Sequence, residues 1–118
     1  MANETLLKNY VAGAAIAPRR IVKFDTTDGV VIQASAAADL SIGVCCEVGP
    51  ASGERADIVR SGLADVEFGG TVARGAMVTS DANGKAVSAA TGNRVLGIAE
   101  VSAVSGDIGA VQIMLSVM

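Results

Sequence analysis

Histidine and tryptophan are absent from this 118-residue sequence, and Tyr10, Phe24 and Phe68 are its only aromatic residues. Without histidine the commonest general base and metal ligand is missing. A Ser–His–Asp or Cys–His arrangement cannot be built either. Acidic residues are dispersed, with no close pair suited to glycoside hydrolysis. The stretch Gly69 to Gly75, GGTVARG, lacks the Lys-Ser/Thr ending of a phosphate-binding loop and opens no helix. Asp25 with Asp28, or Asp81 with Asn83, could hold a calcium ion, but an ordinary Asx-turn explains the same residues more simply. An enzyme using Lys85 or Asp81 near Arg74 is the one catalytic alternative. The sequence reads as a non-enzyme without a cofactor or a metal.

Other scarcities narrow the class further. No apolar run approaches the ~20 residues of a membrane helix. The segment Met1 to Thr5 has no basic character, and Val11 to Ala17 is too short for a signal-peptide core, so synthesis in a cytoplasm is expected. Basic residues number nine against twelve acidic ones, a net charge of −3. Nucleic-acid binding wants a basic face, which this composition does not supply. The one dense basic group, Arg19-Arg20 with Lys23, suits a solvated edge strand that resists sheet-to-sheet addition. Only two cysteines occur, Cys45 and Cys46. As neighbours on a strand they point to opposite faces and do not readily bond to each other. The inward one serves as a small buried hydrophobe.

What is present is small and apolar. Half the residues are hydrophobic and fourteen are glycine, so a core of Ala, Val, Ile and Leu is expected between glycine turns. The chain has room for a single domain. With so few large side chains, one copy is expected to leave apolar surface uncovered, which favours an oligomer or a bound partner.

The organising stretch is Gly69 to Val87, GGTVARGAMVTSDANGKAV. A looser version runs from Ala17 to Ile32, APRRIVKFDTTDGVVI. Each leads through a basic residue and a short apolar strand into an Asp-containing turn closed by Gly, at Asp28-Gly29 and at Asn83-Gly84. Ile42-Gly43-Val44 then corresponds to Leu96-Gly97-Ile98, and Ala56 to Val59 to Ala110 to Ile113. The period is roughly 54 residues with two copies, so the chain is not a solenoid. Short strands with turn signals every ~8–12 residues predict an all-β small barrel or sandwich. The expected division is an extended N-terminal arm over 1–12 and one β-domain over 13–118, in modules of about 13–68 and 69–118. Val66 and Phe68 alternate with Asp65 and Glu67, the half-buried strand pattern. Thr71 to Thr79 reads as a strand, and Ala34 to Leu40 as a loop or one helical turn.

In the arm, Leu6, Leu7 and Tyr10 stand in polar surroundings, so something should tie the segment down. Packing on its own domain and docking on a partner both remain open. On the docking reading, removing Met1 to Tyr10 leaves the domain folded.

The order and spacing of these phrases resemble the small phage capsid cement, or head decoration, proteins. The residues that carry the resemblance are Ile42-Gly43-Val44, Val59-Arg60-Ser61-Gly62, Val72 to Thr79, Asp81 to Val87 and Val95 to Ala99, and it spans about Gly13 to the C-terminus. It implies a homotrimeric β-domain on the outer surface of an icosahedral head, cementing neighbouring major capsid subunits of the expanded shell. It also implies an N-terminal arm that helps contact the shell, which would give Leu6, Leu7 and Tyr10 that role. The alternative is a small β-clip-like module that binds a small molecule or a carbohydrate.

Overall fold

The computed structural model describes residues 6–117, so residues 1–5 of the expected arm lie outside the described residues. Among the described residues, ten strands account for the regular structure: β1 Leu6–Ala12, β2 Ile21–Phe24, β3 Val30–Gln33, β4 Ser41–Cys45, β5 Arg55–Ser61, β6 Leu63–Glu67, β7 Met77–Ser80, β8 Ala86–Ser88, β9 Arg94–Ala99 and β10 Ile108–Val117. No helix occurs among the described residues, and 34–40 is an irregular loop in which the Asp39 carboxylate accepts the Ser35 N–H.

The first five strands close into a barrel in the order β1-β3-β2-β4-β5. Strand β1 is antiparallel to β5 and parallel to β3, and so forms the seam of the closure. The last five form a sheet in the order β6-β10-β9-β7-β8. Taking β6 for β1, β7 for β2 and so on, this is the barrel order cut at one seam. Even that seam is stitched by a lone parallel bridge between Phe68 and Ala86.

The repeat extends to individual backbone hydrogen bonds. Gly13 N–H donates to Val31 and Gly69 N–H to Ala86; Ile16 donates to Pro50 and Val72 to Ala103; Gly53 donates to Ala12 and Gly106 to Phe68. Two segments of different sequence therefore fold to one pattern because turns and apolar alternation match. This is the two-module all-β architecture that the turn spacing implies.

Three details differ from expectation. The basic group Arg19-Arg20 with Lys23 marks no edge strand, because β2 is paired with β3 on one side and β4 on the other. Residues 6–12 are a barrel strand, not an arm: Tyr10 and Ala12 point into the core, and backbone pairing runs along both edges of β1. The polar pattern that suggested an arm arises because a barrel strand buries only alternate side chains. The strand expected over 71–79 begins only at Met77, since Ala73 to Ala76 is a turn with Gly75 at φ +87°.

The first-module counterpart of Gly75 is Arg19, and it holds φ +58°, the one described non-glycine residue at positive φ. Left-handed backbone costs an L-residue about 1–2 kcal/mol. Its side chain offsets part of that through exposed ion pairs with Glu47 and Asp65, each worth a few tenths of a kcal/mol. Arg19→Gly is therefore expected to raise thermal stability by roughly 0.5 kcal/mol, a melting shift of a few degrees. A melting point lowered by several degrees would show that the ion pairs outweigh the backbone strain.

Two cores fill the molecule. Tyr10, Val22, Val31, Ile42 and Ile58 pack inside the barrel. Val66, Phe68, Val78, Leu96 and Val111 fill the second module. That second core also takes in Ile21, Val44 and Val59 from the outer face of the barrel. Each fully buried side chain of this size contributes about 1.5–3 kcal/mol, so the modules are held together mainly by shared apolar burial.

A polar clasp lies across the same junction. Ile21 N–H donates to Gly84 and Glu67 N–H to Arg19. Arg20 reaches the Asn83 carbonyl, and the Glu67 carboxylate takes Lys85 at 3.0 Å and Arg20 at 3.5 Å. The hydrogen bond from Lys85 holds the Glu67 carboxyl below its ordinary value of 4.5, with Arg20 adding to it and partial burial opposing. A carboxylate whose pKa is depressed by folding stabilises the fold above its unfolded pKa, and that stability is lost as pH falls through the folded value. Glu67→Gln should therefore cost about 1 kcal/mol at neutral pH. The gap from the native chain should narrow in paired denaturant titrations as the pH falls below the ordinary carboxylate value of 4.5 and through the lowered folded one; a gap independent of pH would discount the clasp.

Candidate functional site

The three residues expected to contact a partner separate. Leu6 and Leu7 are 58% and 52% exposed at the start of β1, while Tyr10 is 4% exposed inside the barrel. Tyr10 is thus a core residue and is withdrawn from any docking surface. Its hydroxyl meets a guanidinium nitrogen of Arg60, and its ring lies under the Lys8 ammonium.

The start of β1 approaches β10 through a backbone corner that its own segment does not reveal. Leu6 pairs with Ser61, and the next residue, Gly62, accepts the N–H of Ile113 on β10. The start of β1 and the end of β10 therefore converge on the Ser61–Gly62 corner. Met114 follows at once on β10 and is 53% exposed. With Met77, Ile98 and Leu115 it lines a shallow, largely apolar depression of about 270 Å³. A bulge between Ile113 and Ser116 re-aims this end of the strand. Sequence reasoning assigned no role to Met77 or Met114, because only the β7–β9–β10 pairing brings them together; their one signal was outward register, Met77 beside the buried Val78 and Met114 beside the buried Ile113.

A second concentration of chemistry lies at the mouth of the closed barrel. Tyr10 and Phe24 meet edge to face with centroids 5.9 Å apart, and the Arg60 guanidinium sits 5.7 Å from the Phe24 centroid. Two recesses of about 450 and 440 Å³ share Phe24 and Asp25 as their dividing wall. One is bordered by the Lys23–Asp39 ion pair at 3.0 Å, the other by Lys8, Asp28 and Arg60.

Other residues considered for chemistry have structural duties. Asp81 accepts the N–H groups of Asn83 and Lys85 and so shapes its turn, while the Lys85 ammonium is paired with Glu67. Burial pushes the Cys45 thiol up to about 11 and raises Cys46 as well. Both are thus protonated and poorly nucleophilic at neutral pH. Among the described residues, no three carboxylate or thiol side chains gather where they could hold a metal ion.

No protein-family model matches the sequence, and no curated protein does. Among solved structures, the chain is similar to the N base of head fiber gp8.5 of bacteriophage phi29. The superposition has a TM-score of 0.75 and covers 98% of each chain, at 17% sequence identity. The two share one fold. That agreement covers the head-fiber base end to end, so both modules and the strand β1 that closes the barrel fall within the shared architecture. At this identity the likeness lies in backbone architecture and transfers no individual residue.

Proposed function

We propose that this chain is a structural phage virion protein, made in the host cytoplasm, that sits on the outer surface of an icosahedral head. There, as a homotrimer, it cements neighbouring major capsid subunits and stabilises the expanded shell. The observation that carries the reading is the whole-length likeness in fold to a head-fiber base. The order of motifs resembling head decoration proteins supports it from the sequence side. Two closed or nearly closed strand rings leave few free sheet edges, which suits a protein displayed in many copies without self-aggregation.

The docking surface on this reading is the corner where Leu6, Leu7 and Met114 are exposed, continuing into the depression beside Met77. Exposed methionines adapt to an irregular partner surface. A trimer placed across several capsid subunits also gains by effective concentration, because each further foothold binds intramolecularly.

The test is co-sedimentation with expanded, undecorated heads of the cognate phage, with analytical ultracentrifugation of the free protein alongside. Saturable pelleting near one copy per capsid subunit is the expected result, and its absence would overturn the proposal. Leu7→Asp combined with Met114→Lys should keep the native melting point, since both side chains are exposed, and weaken shell binding by tenfold or more, about 1.4 kcal/mol. Undiminished binding would move the docking surface elsewhere.

A further inference from the structure

We infer that the mouth of the first barrel is a binding site for a neutral saccharide, formed around Phe24. The inference stands apart from shell docking and requires only the free protein.

The internal repeat supplies a control. Counterparts of Tyr10, Phe24 and Arg60 in the second module are Val66, Ser80 and Ile113, all buried; strand pairing matches Val59 to Gln112, one residue off the sequence alignment, and so sets Arg60 against Ile113. There, small and aliphatic side chains complete the same strand ring. Folding alone therefore does not call for two aromatics and an arginine at this place. Yet the first module puts two of the three aromatics of the chain there. It also leaves Phe24 49% exposed. An aromatic ring held in the open by packing against Tyr10 and Arg60 is a preformed platform, and such a platform loses little conformational entropy on binding.

The surrounding charges select the ligand class. Lys8, Lys23 and Arg60 face Asp25, Asp28 and Asp39. Cationic and acidic groups balance, so the mouth presents no net field that would draw in an anion or a cation. What it does offer is donors and acceptors of both kinds around an apolar ring. A sugar ring matches this pattern, with a C–H face for the aromatic and hydroxyls that both donate and accept. Arg60 is fixed by bonds to the Ile42 carbonyl and the Tyr10 hydroxyl. Asp25 is anchored by the Thr26 N–H. Neither group needs to be ordered when a ligand arrives. The recesses, about 440 and 450 Å³, fall within the usual size of small-molecule sites, about 300–1,000 Å³.

The experiment is a titration of the full-length, ¹⁵N-labelled protein with methyl glucoside, galactose and N-acetylglucosamine, each to about 50 mM, followed by amide shifts. That range saturates a site whose dissociation constant is in the millimolar range. At least one sugar should give saturable shifts confined to Phe24, Asp25, Asp28, Gly29 and Arg60. Phe24→Ala, with a native spectrum elsewhere, should weaken that binding at least tenfold. Asp28→Asn is a second variant outside the packed core and should weaken it by a smaller factor. Glucuronate is titrated in parallel as the charged comparison. The proposal is overturned by no saturable shift with any of the three neutral sugars, by binding that survives Phe24→Ala, or by binding of glucuronate alone.

Discussion

A chain lacking residues 1–10 is expected to lose cooperative unfolding altogether. The deletion removes most of β1, so β5 loses its antiparallel partner along that edge and the barrel opens. It also removes Tyr10, a buried aromatic whose loss alone costs about 3–5 kcal/mol. Whole-domain stability is only about 5–15 kcal/mol, so that cost and the lost pairing together exhaust it. The damage would spread, because the second core includes Ile21, Val44 and Val59 from the barrel wall. Thermal melting followed by circular dichroism, with amide dispersion by NMR, reads the outcome. A truncated chain that melts cooperatively within a few degrees of the native one would show that residues 6–10 are an appendage after all.

Gly97→Ala should be nearly as severe. Gly97 lies in β9 against β10, and a Cβ added there would land on the Gln112 carbonyl, with the Ile113 backbone close behind. Every obstructing atom belongs to backbone, so no side chain can swing aside and the two strands must part. The expected loss is about 3 kcal/mol or more, a fall in melting temperature on the order of 10 °C. Its counterpart Gly43 faces the Val59 carbonyl in the same way. Gly92→Ala is the matched control: it meets open space and pays only for its positive φ of 89°, about 1 kcal/mol. If Gly97→Ala proved no worse than Gly92→Ala, close strand approach would not be what retains glycine there.

The repeat was legible because its signals are local. Asp28-Gly29 and Asn83-Gly84 announce hairpins, and Ile42-Gly43-Val44 against Leu96-Gly97-Ile98 gives the period. Val66 and Phe68 show the buried face in one glance, and both are fully buried. Strand β1 was not legible for the opposite reason. Its inward residues are only Tyr10 and Ala12, and its partners Ser61 and Val30 lie far along the chain. Lys8 and Asn9 between them read as solvent-exposed arm. The same distance hid both candidate surfaces. Phe24 and Arg60 are 36 positions apart in the numbering, as Met77 and Met114 are 37, and nothing local ties either pair together. Leu6 and Leu7 were visible as exposed apolar residues in a polar segment, whereas the burial of Tyr10 followed only from the closed ring.

The sharing of one core between two rings also sets an order of events during synthesis. The first barrel can close once Ser61 has emerged from the ribosome, since β1 then has β5 beside it. Its outer wall, carrying Ile21, Val44 and Val59, stays wet at that moment, because Leu96 and Val111 have not yet emerged to cover it. At translation rates of about 5–20 residues per second, that apolar wall waits some seconds for its cover. The nascent chain thus passes through an interval in which a finished ring carries an unfinished surface, and the second half acts on the first as a tethered chaperone.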